Sequence, residues 1–184
     1  EYLQSLDLLT EEAIDAVLPR LHAFARYPDL TAGDLYGNEK LPFGFNYVDS
    51  SLNIEHHYDQ QGEHGSHVAG ISAANRYIPK GTGSYADARE AVMMQGVAPD
   101  AQIITMKVFG SNPGPYDGDY FAAIEDAIWL GCDSVNLSLG SGSPGFAENP
   151  LFEELLDFMT TTDTVVVMSA GNSGHWAEST NPTY

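Results

Sequence analysis

The stretch "DYFAAIEDAIWLGCDSVNLSL", residues 119–139, is predicted to contain a helix and a strand, with Gly131 and Cys132 between them. Gly131 is expected to end the helix, because a glycine just past the last turn adopts the left-handed backbone conformation without steric cost. The segment 133–139, "DSVNLSL", is short and partly apolar, which is typical of a strand. A helix that leads directly into a strand is the repeating step of an α/β fold.

The same alternation extends to both sides of this stretch. "QIITMKVF" (102–109) precedes it and is predicted to be a strand. "ENPLFEELLDFMTTT" (148–162) follows, with Asn149 as N-cap and Pro150 at the first helical position. "TVVVMSA" (164–170) completes the series as a third strand. Two consecutive crossover units of this kind predict a mostly parallel sheet with flanking helices and functional loops at the carboxyl ends of the strands.

The first part of the chain is predicted to hold one interrupted helix and one strand. Thr10 is a candidate N-cap, and Pro19 should kink or split the helix that follows it. One helical face carries the apolar residues Ile14, Val17, Leu18 and Leu21. The segments 27–42 and 77–101, rich in turn-forming residues, are predicted to be mostly loop, and 43–51, "FGFNYVDSS", to be a strand.

Composition excludes several classes of protein. The chain has 184 residues, which suggests one domain, and 43% are hydrophobic, which is too many for a disordered chain. Lys plus Arg number 7 against 26 Asp plus Glu, so that a net charge of -19 disfavours nucleic acid and anionic membranes as partners. Cys132, the single cysteine, can form no internal disulfide and is expected to be a buried, inert thiol. A run of about 18 apolar residues, which a membrane-spanning helix needs, does not occur.

Three motifs occur in a specific order. "QGEHGSHVAG" (61–70) places two histidines among glycines where a helix is predicted to begin. "GVAPDAQIITMKVF" (96–109) follows, and then "NLSLG" (136–140) with "VVVMSAGNSG" (165–174). Together these motifs resemble the subtilisin-like serine proteases, the subtilases. The preceding region, which begins "LPFGFNYVDS", is similar to the cell-envelope, lactocepin-like branch of that family.

The resemblance implies a subtilisin-like α/β fold that is incomplete in this chain. Residues 1–184 would form part of a catalytic domain, with 1–60 as a lead-in and 61–184 as the core. His64 would be the general base, and Asn172 would donate to the oxyanion of the tetrahedral intermediate. His67 would be a structural histidine that faces inward with Val68 and Ile71. The substrate-binding residues that the resemblance implies are Tyr120, Ser138, Leu139, Gly140, Ser169, Ala170 and Gly171.

The sequence departs from the family pattern at the two other catalytic positions. No "DSG" or "DTG" motif precedes His64, and Asp49 in "YVDSS" is the nearest candidate for the missing aspartate. No "GTS" motif, which would hold the serine nucleophile, occurs between Asn172 and Tyr184. We therefore expect a fragment of a secreted or cell-surface serine endopeptidase with an Asp-His-Ser mechanism. Its expected partners are a protein or peptide substrate, the remaining segments of the same protease, and a second copy of the fragment.

Two other interpretations stay open. "IEHHYDQQGEHGSH" (54–67) contains residue types that bind zinc, although the glycines fit the protease motif better and no residue is assigned as a metal ligand. Calcium is left open as a ligand, but no spacing identifies a site, and no cofactor is certain. The second alternative is a non-catalytic, subtilase-like module that binds extended peptides. Motifs that flank the chain would distinguish this module from an enzyme.

Overall fold

A computed structural model describes residues 8–111, 116–140 and 150–171. These residues belong to two compact units, 1–130 and 131–184, and each unit is described by itself. The strands are β1 Phe43–Asn46, β2 Tyr77–Pro79, β3 Tyr85–Asp87, β4 Ile104–Lys107, β5 Ser134–Leu137 and β6 Val165–Met168. The α-helices are α1 Glu11–Val17, α2 His22–Arg26, α3 Ala32–Leu35, α4 His64–Ala73, α5 Ala88–Ala91, α6 Asp117–Trp129 and α7 Pro150–Met159. The α/β fold is therefore confirmed, with helices and parallel strand pairs.

The first helices follow the local signals in the sequence. The Thr10 hydroxyl accepts a hydrogen bond from the Ala13 amide at 3.3 Å, so that Thr10 is the N-cap of α1 as predicted. Pro19 splits the predicted helix, because its ring cannot fit into a continuous α-helix. One turn of 3₁₀-helix, Leu18–Arg20, then separates α1 from α2.

The prediction that residues 27–42 are loop missed one turn of helix. They include α3, one turn long, which begins with a capping box between Thr31 and Asp34. The Asp34 amide donates to the Thr31 hydroxyl, and the Asp34 carboxylate accepts from the Thr31 amide. A helix of four residues is too short to show an apolar period, which explains why the pattern missed it.

A parallel strand pair organises the first unit. β1 pairs with β4 in parallel register, with Phe43 opposite Ile104. Side chains of β1 and of the surrounding helices form a hydrophobic core. Residues of the predicted lead-in, 1–60, supply much of its buried apolar surface. The core residues are Ile14, Leu18, Leu21, Ala23, Leu30, Ala32, Leu35, Phe43, Phe45, Tyr47, Ala122, Ala123 and Leu130.

Segment 77–101, predicted as mostly loop, contains a small hairpin. β2 and β3 pair antiparallel, and α5 follows β3 directly. Gly81 and Gly83 lie between the strands with positive φ angles of 121° and 74°, which glycine adopts more easily than other residues. Each strand has three residues, too few to show a clear alternation.

The second unit is a single crossover. β5 and β6 pair in parallel, and α7 connects them along the chain, as the sequence predicted. Gly131, with φ 77°, follows the last residues of α6 and confirms the predicted helix stop. Within the described ranges the strands form three two-stranded sheets, β1–β4 and β2–β3 in the first unit and β5–β6 in the second. Asn149, the predicted cap of α7, lies outside the described residues.

Candidate active site

His64 is the first residue of α4, and its side chain is exposed. Two successive turns lead into the helix: the Gly62 amide donates to the Asp59 carbonyl at 3.1 Å, and the His64 amide to the Gln61 carbonyl at 3.2 Å. A Cβ placed on Gly65 would meet no other atom within 4 Å, so there is open space beside the first turn of α4, which carries His64. An exposed imidazole at a helix start can exchange a proton with a bound group.

His67 does not face inward, contrary to the prediction. Its side chain is exposed, and Ile71 on the same helix is exposed as well. Ala73 is the buried residue of α4. The described part of the chain therefore covers little of this helix, and His67 lies on its exposed surface.

The second motif is bonded directly to the helix of the first. At the end of α4, the amides of Gly96, Val97 and Ala98 donate to the carbonyls of Ala74, Ile71 and Ser72, at 2.9, 3.0 and 2.8 Å respectively. These three hydrogen bonds satisfy carbonyls that the end of a helix leaves without an intrahelical donor. The segment 96–98 thereby fixes the carboxyl end of the helix that carries His64.

Asp49, the nearest candidate for the missing aspartate, is part of a local turn after β1. Its carboxylate accepts from the Asn46 side-chain amide at 2.9 Å, and its own amide donates to the Asn46 side-chain oxygen at 3.1 Å. Asn46 is buried, so this pair stabilises the turn that leaves the strand. These two hydrogen bonds explain the position of Asp49, which is a structural residue of this turn.

Tyr120 lies in the first turn of α6, in the same unit as His64. Its ring packs edge to face against Phe121, with the ring centroids 4.5 Å apart. Burial, together with the nearby Asp117 carboxylate, raises the pKa of Tyr120 to about 12. The phenol therefore keeps its proton to a higher pH than an ordinary tyrosine.

The other predicted substrate-binding residues lie together in the second unit. Residues 138–140 follow β5 and residues 169–171 follow β6, and parallel strands end at the same edge of a sheet. The Ser169 hydroxyl donates to the Leu139 carbonyl at 2.7 Å, and its amide to the Leu137 carbonyl at 3.1 Å. Gly171 has a φ of 78°, a conformation that suits glycine. Asn172, the predicted oxyanion donor, lies outside the described residues.

The histidines before α4 form weak contacts with acidic side chains. His57 lies 3.7 Å from Glu55 and His56 lies 4.0 Å from Glu63, measured between nitrogen and carboxylate oxygen. In ranges 8–111, 116–140 and 150–171, no three His, Cys, Asp or Glu side chains are grouped so that they could hold a metal ion. No helix in those same ranges has the length and apolar character needed to cross a membrane.

Comparison with known proteins identifies the family. Residues 32–184 match the subtilase family. The chain is 40% identical over 154 residues to the PII-type proteinase of Lactococcus lactis subsp. cremoris, a match that covers 81% of this chain and 8% of that protein. The PII-type proteinase of Lacticaseibacillus paracasei is 39% identical over 154 residues, again 81% of this chain and 8% of the relative. The C5a peptidase of Streptococcus pyogenes serotype M1 is 28% identical over 183 residues, which are 91% of this chain and 15% of that protein.

The matched region is a small part of these relatives, between 8% and 15% of their length. The family match covers the helix of His64, all three strand pairs of the described residues and the segments that follow β5 and β6. The resemblance inferred from the three motifs is confirmed, including its lactocepin-like branch. The chain belongs to the subtilase family.

Proposed function

We propose that this chain is the part of a serine endopeptidase that supplies the general base and the oxyanion donor. The observation that carries the proposal is the exposed His64 at the start of α4, in a chain of the subtilase family. The three hydrogen bonds from residues 96–98 support it, because they fix the helix on which His64 lies. An accessible imidazole on a helix that is held in place suits a general base.

The proposed reaction is hydrolysis of a peptide bond through an acyl-enzyme. His64 takes the proton of a serine hydroxyl as the serine oxygen bonds to the substrate carbonyl carbon, and it then gives that proton to the leaving amine. In the second half, His64 takes a proton from water, which attacks the acyl carbon, and returns it to the serine. An aspartate orients the imidazole, and the Asn172 amide donates to the negative oxygen of each tetrahedral intermediate.

The proposed substrate is an extended peptide that adds as a strand beside residues 138–140. Exposed main chain at the end of a strand can pair with such a peptide through its amides and carbonyls. Gly140 is exposed and has open space around it, which allows a peptide to approach closely. The segment 169–171, adjacent to Leu139, would border the pocket for the side chain that precedes the cut bond.

The proposed location of the protein is outside the cell or at the cell surface, where peptides are available as substrates. The relatives are proteinases and a peptidase of bacteria, which supports this class of substrate. The remaining parts of the catalytic domain would supply the serine and the aspartate.

The proposal is tested with single substitutions in the full-length protein. His64→Ala should abolish hydrolysis, whereas His67→Ala, on the same helix and also exposed, should leave folding and turnover close to wild type. Asn172→Ala should lower kcat about 10²–10³-fold, a magnitude established on subtilisin itself, with little change in KM. Equal loss of binding and turnover in Asn172→Ala would contradict the oxyanion role.

The same experiment decides the alternative of a peptide-binding module. If the full-length protein binds extended peptides, does not react with a fluorophosphonate probe, and binds unchanged in His64→Ala, the chain belongs to a non-catalytic module. The half-buried Ser138 and Leu139, the exposed Gly140 and the exposed segment 169–171 are compatible with peptide binding in either case.

A further inference from the structure

Lys107, the last residue of β4, contacts both ends of a loop that precedes His64. Its ammonium nitrogen lies 2.7 Å from Asp59 Oδ2 and 3.0 Å from Asp59 Oδ1, and it donates to the Glu55 carbonyl at 2.5 Å. The side chains of Lys107 and Asp59 are 11% and 12% exposed. One largely buried cation therefore binds the segment 55–59 to the carboxyl end of β4.

The connection from this ion pair to His64 is short and internally bonded. The amide of Gln60 donates to the carbonyl of Gly110 at 3.3 Å, which adds a second attachment just beyond the end of β4. Two turns then lead from Asp59 to the first residue of α4, as described above. Because little of this connection is free to move, the position of Lys107 limits the position of the His64 backbone.

The burial of the pair distinguishes it from the other charge contacts of this loop. His57 and Glu55 form a longer contact of 3.7 Å, and both of these side chains are largely exposed. Exposed pairs of that kind hold a chain weakly, whereas removal of one partner from a buried pair leaves an uncompensated charge in the protein. The Lys107–Asp59 pair is thus the strong attachment of the loop.

We propose that Lys107 and Asp59 are positioning residues for the general base, which hold the segment before α4 so that His64 meets its proton donor in a fixed geometry. This inference rests on the proposed function of His64. Lys107 lies in the second motif and Asp59 lies just before the first, but the family resemblance assigns neither of them as general base or oxyanion donor. The two residues are 48 positions apart in the sequence. Their role is to keep the imidazole in place, not to touch the substrate.

The first test is Lys107→Met in the full-length protein. We expect kcat to fall about 10²-fold with KM unchanged, because a displacement of about 1 Å in a reacting group has an effect of that size. Lys107→Arg, which keeps the charge and its donors, should recover most of the lost kcat. Lys40→Met is the matched control, since Lys40 also donates to two loop carbonyls, those of Pro99 and Ala101, and should keep the wild-type kcat. An equal loss of kcat in both lysine variants would overturn the proposal.

The second test separates positioning from stability. In Lys107→Met/Asp59→Asn no uncompensated charge is left, so the midpoint of urea unfolding should return toward the wild-type value. The loop attachment is still absent, and kcat should therefore stay as low as in Lys107→Met. Recovery of kcat in parallel with the unfolding midpoint would mean that the pair is merely structural.

His64→Ala, measured beside these variants, keeps the two proposals distinguishable. If His64→Ala retains hydrolysis, the proposed function fails, whatever Lys107→Met does. If His64→Ala is inactive while Lys107→Met has the wild-type kcat, only the positioning role of Lys107 and Asp59 fails.

Discussion

Asp126, on α6, joins parts of the first unit that are far apart in the sequence. Its carboxylate accepts from the amides of His22 and Ala23, at 2.7 and 2.9 Å, and from the hydroxyl of Tyr47 at 2.8 Å. The start of α2 has no side-chain cap of its own, so Asp126 supplies that cap from another helix. Burial raises the pKa of Asp126, although the two amides and the hydroxyl favour the charged form and oppose the rise.

Asp126→Ala should loosen the start of α2. The substitution removes the carboxylate that accepts from the His22 and Ala23 amides, and we expect a loss of about 1–3 kcal/mol in the free energy of unfolding. Amide hydrogen exchange at His22 and Ala23 measures the effect directly. Glu125→Ala is the control, because Glu125 contacts the half-exposed ring of His22 and should cost at most about 1 kcal/mol. An equal effect of both substitutions would contradict the capping role of Asp126.

Cys132 should be unreactive in the folded protein near neutral pH. Burial, with a smaller contribution from Asp133, raises the pKa of the Cys132 thiol to about 12. The unfolded chain loses this proton at lower pH than the folded protein, so the contribution of Cys132 to stability falls as pH rises from 9.0 toward about 12. Labelling with iodoacetamide at pH 8, followed by mass spectrometry, should be slow before denaturation and fast after it. Equal rates in both states would show that burial does not protect the thiol.

At the scale of elements, the close approach of segment 96–98 to α4 explains why residue 96 is a glycine. A Cβ on Gly96 would lie 2.3 Å from the Ala74 amide nitrogen and 2.4 Å from the Ala73 Cα. Real Cβ atoms essentially never come so close to backbone atoms, so any larger residue must push the segment away from the helix. The requirement concerns packing space and not the backbone angles of Gly96.

Gly96→Ala should therefore separate this segment from α4 and lower the temperature of thermal unfolding. The three hydrogen bonds to the end of the helix would be weakened together, because they share one backbone segment. Gly70→Ala is the matched control within α4: a Cβ there meets nothing within 4 Å, and alanine favours a helix over glycine by about 0.5–1 kcal/mol. The control should thus raise the unfolding temperature slightly. A Gly96→Ala variant as stable as wild type would contradict the steric argument.

How far elements could be predicted depended on their length and on local chemistry. The beginning of α1 at Thr10, its interruption at Pro19 and the end of α6 before Gly131 were predicted, since caps, prolines and glycines act within one turn. The turn of helix α3 and the strands β2 and β3 were missed. Elements of three or four residues complete too little of a period for a hydrophobic pattern to identify them.

At the scale of the molecule, the second unit leaves apolar strand residues uncovered. Val165, Val167 and Met168 of β6 are exposed, although strands of parallel sheets are normally covered on both faces. Within the described ranges α7 is the one helix of this unit. A single helix can cover only one face of a strand pair, so the other face is left without a helix. Apolar faces of this kind are covered by other protein surfaces when they are available.

Residues 1–184, expressed alone, should be inactive and should self-associate. The sequence contains no "GTS" motif, so His64 has no serine hydroxyl from which to take a proton, and a fluorophosphonate probe should not react. The uncovered β6 residues should drive association, which sedimentation velocity would detect as species larger than a monomer. Peptide hydrolysis by the purified chain that is lost in Asp49→Ala would overturn this expectation and identify Asp49 as the catalytic aspartate. A strictly monomeric chain would contradict the expected association.

The amino-acid sequence by itself determined the order of the main strands and helices, the family, and His64 as candidate base, because these depend on local periods and on motifs of a few residues. Only the tertiary structure decided that β1 pairs with β4, that Asp126 caps α2 and that Lys107 binds Asp59. It also decided that His67 is exposed, against the prediction from its helical face. The contact of Asp126 with His22 joins residues 104 positions apart, and the contact of Lys107 with Asp59 joins residues 48 positions apart. Contacts over such separations depend on how the whole chain packs, and no local pattern records them.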